Sequence, residues 1–254
     1  MTTEQLETVD LGPRSPDRPL LLMGPSLGTS VEALWGPCAR FLDSAADVVG
    51  WELPGHGTGR PAADRFTVED LADAVAAIAT ELLADRNLTS VHYAGDSVGG
   101  AVGLALVLRH PGLVTSATLA CTSARIGTPD GWAQRAALRR ANGIDAVVAG
   151  SLERWFGPGF RDREPATVSA LVASLRACDA ESYARVCEAL WAFDARNNLI
   201  HINTALELIA GSDDIATPVA GLSEIAARVQ GARLTVLGAP DIWLPPRRRN
   251  SWPR

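Results

Sequence analysis

Gly95-Asp96-Ser97-Val98-Gly99 is a G-x-S-x-G pattern between two apolar segments, Val91-His92-Tyr93-Ala94 and the run from Val98 to Leu108. A serine on a sharp strand-to-helix turn needs small residues two places before and after it, or the turn collides with itself. Gly95 and Gly99 meet that need, and Gly100 adds room. Such a turn holds the serine at the C-terminal edge of a sheet, where open α/β folds bind ligands. It also sets the serine at a helix N-terminus, whose backbone N–H groups favour developing negative charge. The chemistry this suits is attack of Ser97 on a carbonyl. The pattern alone is common by chance, and a glycine-rich turn without chemistry is the competing account.

An attacked carbonyl needs two backbone donors for its oxygen. Val98, directly after the nucleophile, supplies one. The second should come from the loop after an earlier strand, here Gly24-Pro25-Ser26-Leu27-Gly28-Thr29, with Leu27 the best candidate. An acid that orients a histidine belongs on a later strand end. The segment Leu206–Ala210 runs into Gly211-Ser212-Asp213-Asp214-Ile215-Ala216-Thr217-Pro218, so Asp213 and Asp214 compete for that part. A simple Asx turn would explain either.

These residues need elements to position them. Pro19–Met23, Asp47–Leu53, Ser90–Ala94, Leu113–Cys121, Leu206–Ala210 and Arg233–Leu237 read as strands. Thr67 offers an N-cap to a helix with Leu71, Val75, Ile78 and Leu82 on one face, and Val98–Arg109 is a helix stopped by Pro111. Alternating strands and helices predict a mostly parallel sheet covered on both faces. The stretch 125–198 breaks the rhythm with helices alone, so we expect a core of 1–124 and 199–240 with a helical cap over one end of the sheet. The formal net charge of −6 argues against nucleic acid as the main partner. No basic leader followed by an apolar core and no long apolar run is present, so cytoplasmic residence without a membrane span is expected. Cys38, Cys121, Cys178 and Cys187 show no C-x-x-C spacing, which predicts free thiols rather than disulfides or a zinc site.

With these residues in view, the chain resembles the 3-oxoadipate enol-lactonases, α/β-hydrolases of aromatic-compound breakdown in the β-ketoadipate pathway. The likeness runs from about residue 19 to 237. It is carried by Ser26–Thr29 with Trp35, Leu53-Pro54-Gly55-His56-Gly57, the elbow Gly95–Gly103, Trp155-Phe156 with Phe160, the segment Tyr183–Asp194, and the acid turn Gly211–Pro218. The resemblance implies an α/β-hydrolase fold and hydrolysis of a small-molecule lactone through an acyl-enzyme, with no metal and no cofactor. Ser97 would be the nucleophile. Asp214 would be the acid by the spacing Gly, two residues, Asp, three residues, Pro, with Asp213 the alternative. Leu27 and Val98 would supply the oxyanion donors, and Trp155 would line the pocket or simply fill the core of the cap. The implied substrate carries a carboxylate, for which Arg135, Arg139, Arg140 and Arg154 are candidates without a choice among them.

One part of the pattern is missing. The family places its general base in a Gly-His-x-x-Pro turn after the last strand, near position 241. Here the sequence is Gly238-Ala239-Pro240-Asp241-Ile242-Trp243-Leu244-Pro245, and no histidine follows His201. His56, His92, His110 and His201 lie in segments without the pattern. All 23 basic residues are arginine, as GC-rich codons would give. Read one base earlier with such codons, the segment from Asp241 becomes Gly-His-Leu-Ala-Pro-Ala, and the later bases give Glu-Leu-Val-Ala. We therefore expect a frame change shortly before Asp241, real or introduced in sequencing, and an out-of-frame tail at 241–254. A basic tail evolved for anions is the rival. Without the base the chain as written should be nearly inactive.

Overall fold

The computed structural model describes residues 6–238, apart from 85, 87 and 158, so the expectations for the tail at 241–254 lie outside the described residues. The strands are β1 (Thr8–Asp10), β2 (Leu20–Gly24), β3 (Asp47–Trp51), β4 (Val91–Asp96), β5 (Val114–Ala120), β6 (Ala205–Gly211) and β7 (Arg233–Leu237). They form one sheet in the order β1-β3-β2-β4-β5-β6-β7. Only the β1–β3 pairing is antiparallel. The mostly parallel sheet expected from the strand–helix alternation is present.

The order in which strands are added switches sides at β2: β3 pairs on one side of it and β4 on the other. The loops leaving β2 and β4 are therefore neighbours, and Gly24 pairs in register with Gly95. This is the crevice where open parallel sheets place ligands. Topology alone thus sets the Ser26–Thr29 loop beside Ser97.

Side chains alternate across the sheet. Leu22, Val49 and Tyr93 join the larger core, with α2 (Val68–Ala84) and α3 (Val98–Arg109). Met23, Val48 and Ala94 point the other way, into a smaller cluster beneath α1 (Val31–Ala39). Thr67 and Asp70 cap α2 reciprocally: Asp70 N–H donates to Thr67 Oγ1 at 3.0 Å and Thr67 N–H to Asp70 Oδ2 at 2.9 Å. Helix α1 was not evident from spacing, because Gly36 and Pro37 interrupt its pattern; Ser30 caps it by accepting from Ala33 N–H at 3.2 Å. Strand β1 is three polar-edged residues whose only signature is its pairing.

Between β5 and β6 the chain forms α4 (Pro129–Asn142), α5 (Asp145–Trp155), α6 (Phe160–Arg163), α7 (Pro165–Ala177), α8 (Ala180–Ala192) and a 3-10 turn, Arg196–His201. These helices rest on the loops at the C-terminal sheet edge. Leu175 and Trp155 lie against Gly28, and the Tyr183 ring stacks on His56 with centroids 6.1 Å apart. Helix α9 (Val219–Arg228) follows β6. No helix among the described residues is long and apolar enough to cross a membrane. All four cysteines are free, three buried and Cys38 half-buried.

Two contacts between β3 and α1 give measurable consequences. A methyl group on Gly50 would lie 2.5 Å from Val31 Cγ2, because α1 packs directly on the strand backbone. Gly50→Ala should therefore cost about 1–3 kcal/mol in urea unfolding, and adding Val31→Ala should recover part of it. Just past β3, buried Glu52 accepts from Val31 N–H at 3.0 Å. Burial pushes its carboxyl up to about 7. An unfolded glutamate loses its proton near ~4.3, so between there and about 7 the folded state holds a proton the unfolded state lacks, and stability falls as pH rises. The urea midpoint should drop between about pH 4 and pH 7, and Glu52→Gln should remove its share of that slope, at most about 4 kcal/mol.

Candidate active site

Ser97 sits between β4 and α3 with φ 52° and ψ −111°. A non-glycine residue in that region costs about 1–3 kcal/mol and persists only where its surroundings enforce it. Here Ser97 N–H donates to Ala120 O at 2.9 Å. Its carbonyl accepts from Ala101 N–H at 3.0 Å and from Thr122 Oγ1 at 2.8 Å. The glycines are there for the reason the sequence implied. A Cβ at Gly95 would lie 2.3 Å from Gly99 O, and one at Gly99 would lie 2.7 Å from the Gly24 and Pro25 carbonyl oxygens. Gly99 N–H donates to Pro25 O at 3.0 Å, which ties the start of α3 to the loop after β2.

That loop is held by its own bonds. Ser26 N–H donates to Thr29 Oγ1 at 3.1 Å, and Thr29 Oγ1 donates to Ser26 O at 3.0 Å. Gly28 takes φ 88°, a conformation that favours glycine. Neither Leu27 N–H nor Val98 N–H has an acceptor among the described residues. Leu27 lines the cavity, whereas the Val98 side chain is fully buried and only its N–H is left at the helix start.

The two aspartates separate by burial. Asp213 is exposed; Asp214 is buried and lines the cavity. Asp214 Oδ1 accepts from Ala216 N–H and Thr217 N–H, each at 2.8 Å, and Oδ2 from Thr217 Oγ1 at 2.5 Å. Asp96 also lines the cavity and is buried, a feature the sequence reading passed over because the variable position of the elbow carries no pattern. Burial, with the negative charge of Asp214 nearby, holds its carboxyl well above the usual carboxylate range.

The cavity has a volume of about 540 Å³ and is closed on its far side by α4 and α5, which contribute Trp132, Arg135, Arg154 and Trp155. A volume of this size suits a small organic ligand. Of the four arginines singled out, Arg135 and Arg154 line it. Buried Arg139 donates to Cys178 O at 2.8 Å, and Arg140 pairs with Glu181 and Glu188. None of the four histidines lines the cavity. His56 is fully buried, with Nδ1 2.8 Å from Pro54 O, and burial lowers it to about 4. His92 contacts Ser116 at 2.8 Å, His110 contacts Asp73 at 2.7 Å, and His201 is exposed. Among the described residues no group of three or more His, Cys, Asp or Glu could hold a metal ion.

Comparison with known proteins agrees with this geometry. A family model described as alpha/beta hydrolase fold matches residues 19–207. The chain is 30% identical to 3-oxoadipate enol-lactonase 2 of Acinetobacter baylyi over 89% of this chain and 83% of that protein. It is also 30% identical to 3-oxoadipate enol-lactonase 1 of the same organism, over 95% and 89%. The crystal structure of the enol-lactonase from Burkholderia xenovorans superimposes with a TM-score of 0.85 at 31% identity, covering 93% of this chain and 89% of that one. The sheet and its connections are thus those of a known family: the chain belongs to the α/β-hydrolase fold family, in the group that includes the 3-oxoadipate enol-lactonases.

Proposed function

We propose that the site is built to hydrolyse the enol-lactone of 3-oxoadipate through a Ser97 acyl-enzyme, with residues 125–198 as the cap of the pocket. The observation that carries this reading is Ser97 held at φ 52° on a cavity also lined by Leu27 and Asp214. The enol-lactonase relatives support the substrate, as what their names say they act on. Ser97 Oγ would attack the lactone carbonyl as its proton passes to a base. The oxyanion would take the two open N–H groups of Leu27 and Val98. Collapse breaks the acyl C–O bond and frees the enol oxygen, and water then releases the acid and regenerates Ser97. Trp155 would shape the apolar wall opposite.

Asp214 would orient and charge-stabilise the imidazolium of a histidine base. No histidine present in the sequence lines the cavity. A second reading follows from that observation: as written, the chain binds a small ligand in the intact cavity and turns it over poorly.

Three measurements test the proposal. The chain as written should hydrolyse the enol-lactone roughly 10⁴–10⁶ times more slowly than the same chain expressed with the Gly-His-Leu-Ala-Pro frame after Ala239. Equal rates would remove histidine from the mechanism. In the frame-changed chain, Ser97→Ala should abolish turnover to a similar degree. A preference for a simple aryl ester over the enol-lactone would point instead to another serine hydrolase of this fold.

A further inference from the structure

Two carboxyl groups share the floor of the cavity, and their surroundings differ. Asp214 accepts three hydrogen bonds from its own turn, so its negative charge is matched by donors. Asp96 is buried on the same floor and accepts from no backbone N–H among the described residues. The groups facing it are the Ser26 hydroxyl from the loop after β2, the Cys121 thiol at the end of β5, and the Asp214 carboxylate after β6. None of them is a cation. The thiol lies against both acids, and its single hydrogen can serve only one of them. Asp96 Oδ2 is left buried with no hydrogen-bond partner among the described residues.

Two neighbouring carboxyl groups with no cation between them do not both ionise readily. The donor count decides which one does: Asp214 is the anion and Asp96 the acid. Burial first, and then the charge of Asp214, keeps the proton on Asp96. A protonated carboxyl has an O–H to give, and a buried donor is costly until something accepts from it. Ser26 leads directly into Leu27, so this acid stands between the loop that offers the Leu27 N–H and the turn that holds Asp214.

We propose that Asp96 donates a hydrogen bond to a carbonyl oxygen of the bound ligand at the floor of the cavity. The ligand class is then a lactone, ester or ketone whose buried end is uncharged. The proposal rests on the reading of the cavity as a ligand site and needs no turnover by Ser97. Either carboxyl oxygen can be presented, since a half turn about the Cβ–Cγ bond exchanges them. An ionised group there would repel the lone pairs of a carbonyl oxygen, whereas the acid pairs with them.

The test compares cyclohexyl methyl ketone with isopropenylcyclohexane, which has the same shape but a CH2 group in place of the oxygen. The ammonium of 1-cyclohexylethylamine reports the charge of Asp96. Binding to the chain as written is followed near neutral pH by tryptophan fluorescence, since Trp132 and Trp155 line the cavity. The unaltered chain should prefer the ketone to the hydrocarbon. Asp96→Leu, which has no donor, should reduce that preference about 3–10-fold. Asp96→Val should show the same loss with a smaller side chain, which keeps the test intact if the leucine variant folds poorly. Asp96→Asn keeps an N–H donor and should retain most of the preference, and it should leave amine binding unchanged. A loss of amine binding of about tenfold or more in Asp96→Asn would mean a charged carboxylate and overturns the proposal. A ketone preference that survives Asp96→Leu and Asp96→Val overturns it, as does one lost equally in Asp96→Asn. No ketone preference in the unaltered chain, or no ketone binding at millimolar concentration, also overturns it. If ketone binding depends on Asp96 while the frame-changed chain fails to open the enol-lactone, the donor stands and the proposed reaction falls.

Discussion

Everything at this site depends on backbone meeting backbone around Ser97. The start of α3 approaches the ends of β2 and β4 so closely that Gly95 and Gly99 have no space for a methyl group. That approach sets the serine in its unfavourable backbone conformation and brings the loop after β2 within hydrogen-bonding reach of α3. The cost of the strain is met by the sheet, whose strands β3 and β4 are buried on both faces. A residue so constrained has little freedom to relax.

The helices between β5 and β6 contribute different physics. They touch the sheet edge through Gly28, Leu175, Trp155, His56 and Tyr183, and they deliver cations to a cavity whose other end is acidic. The floor presents the open N–H groups of Leu27 and Val98 and the carboxylate of Asp214, and the wall above presents aromatic rings and two guanidinium groups. The two sets of groups thus come from different parts of the chain, the sheet edge and the helices after β5.

Much of this was legible in the sequence. The α3 and β7 boundaries coincide with those read from apolar runs, since each is bounded by strong local signals such as the elbow and Pro111. The glycines around Ser97 declared the turn because their requirement is local and steric. What stayed hidden was non-local. Asp213 and Asp214 are adjacent and chemically alike, and only burial separates them. The four arginines share two helices, and which of them face the cavity depends on how α4 and α5 pack. Asp96 and Glu52 read as ordinary acids until the structure encloses them. Helix α1 was obscured by Gly36 and Pro37, although Ser30 marks its start.

The Asp214 carboxylate carries a consequence for heredity. It is satisfied by three donors from its own turn, Ala216, Thr217 N–H and Thr217 Oγ1, and none of them belongs to a base. The acid is therefore self-supporting, and no histidine is needed to keep it in place. A change elsewhere in the chain leaves these three bonds in place, so the turn can be inherited unaltered while its neighbours vary.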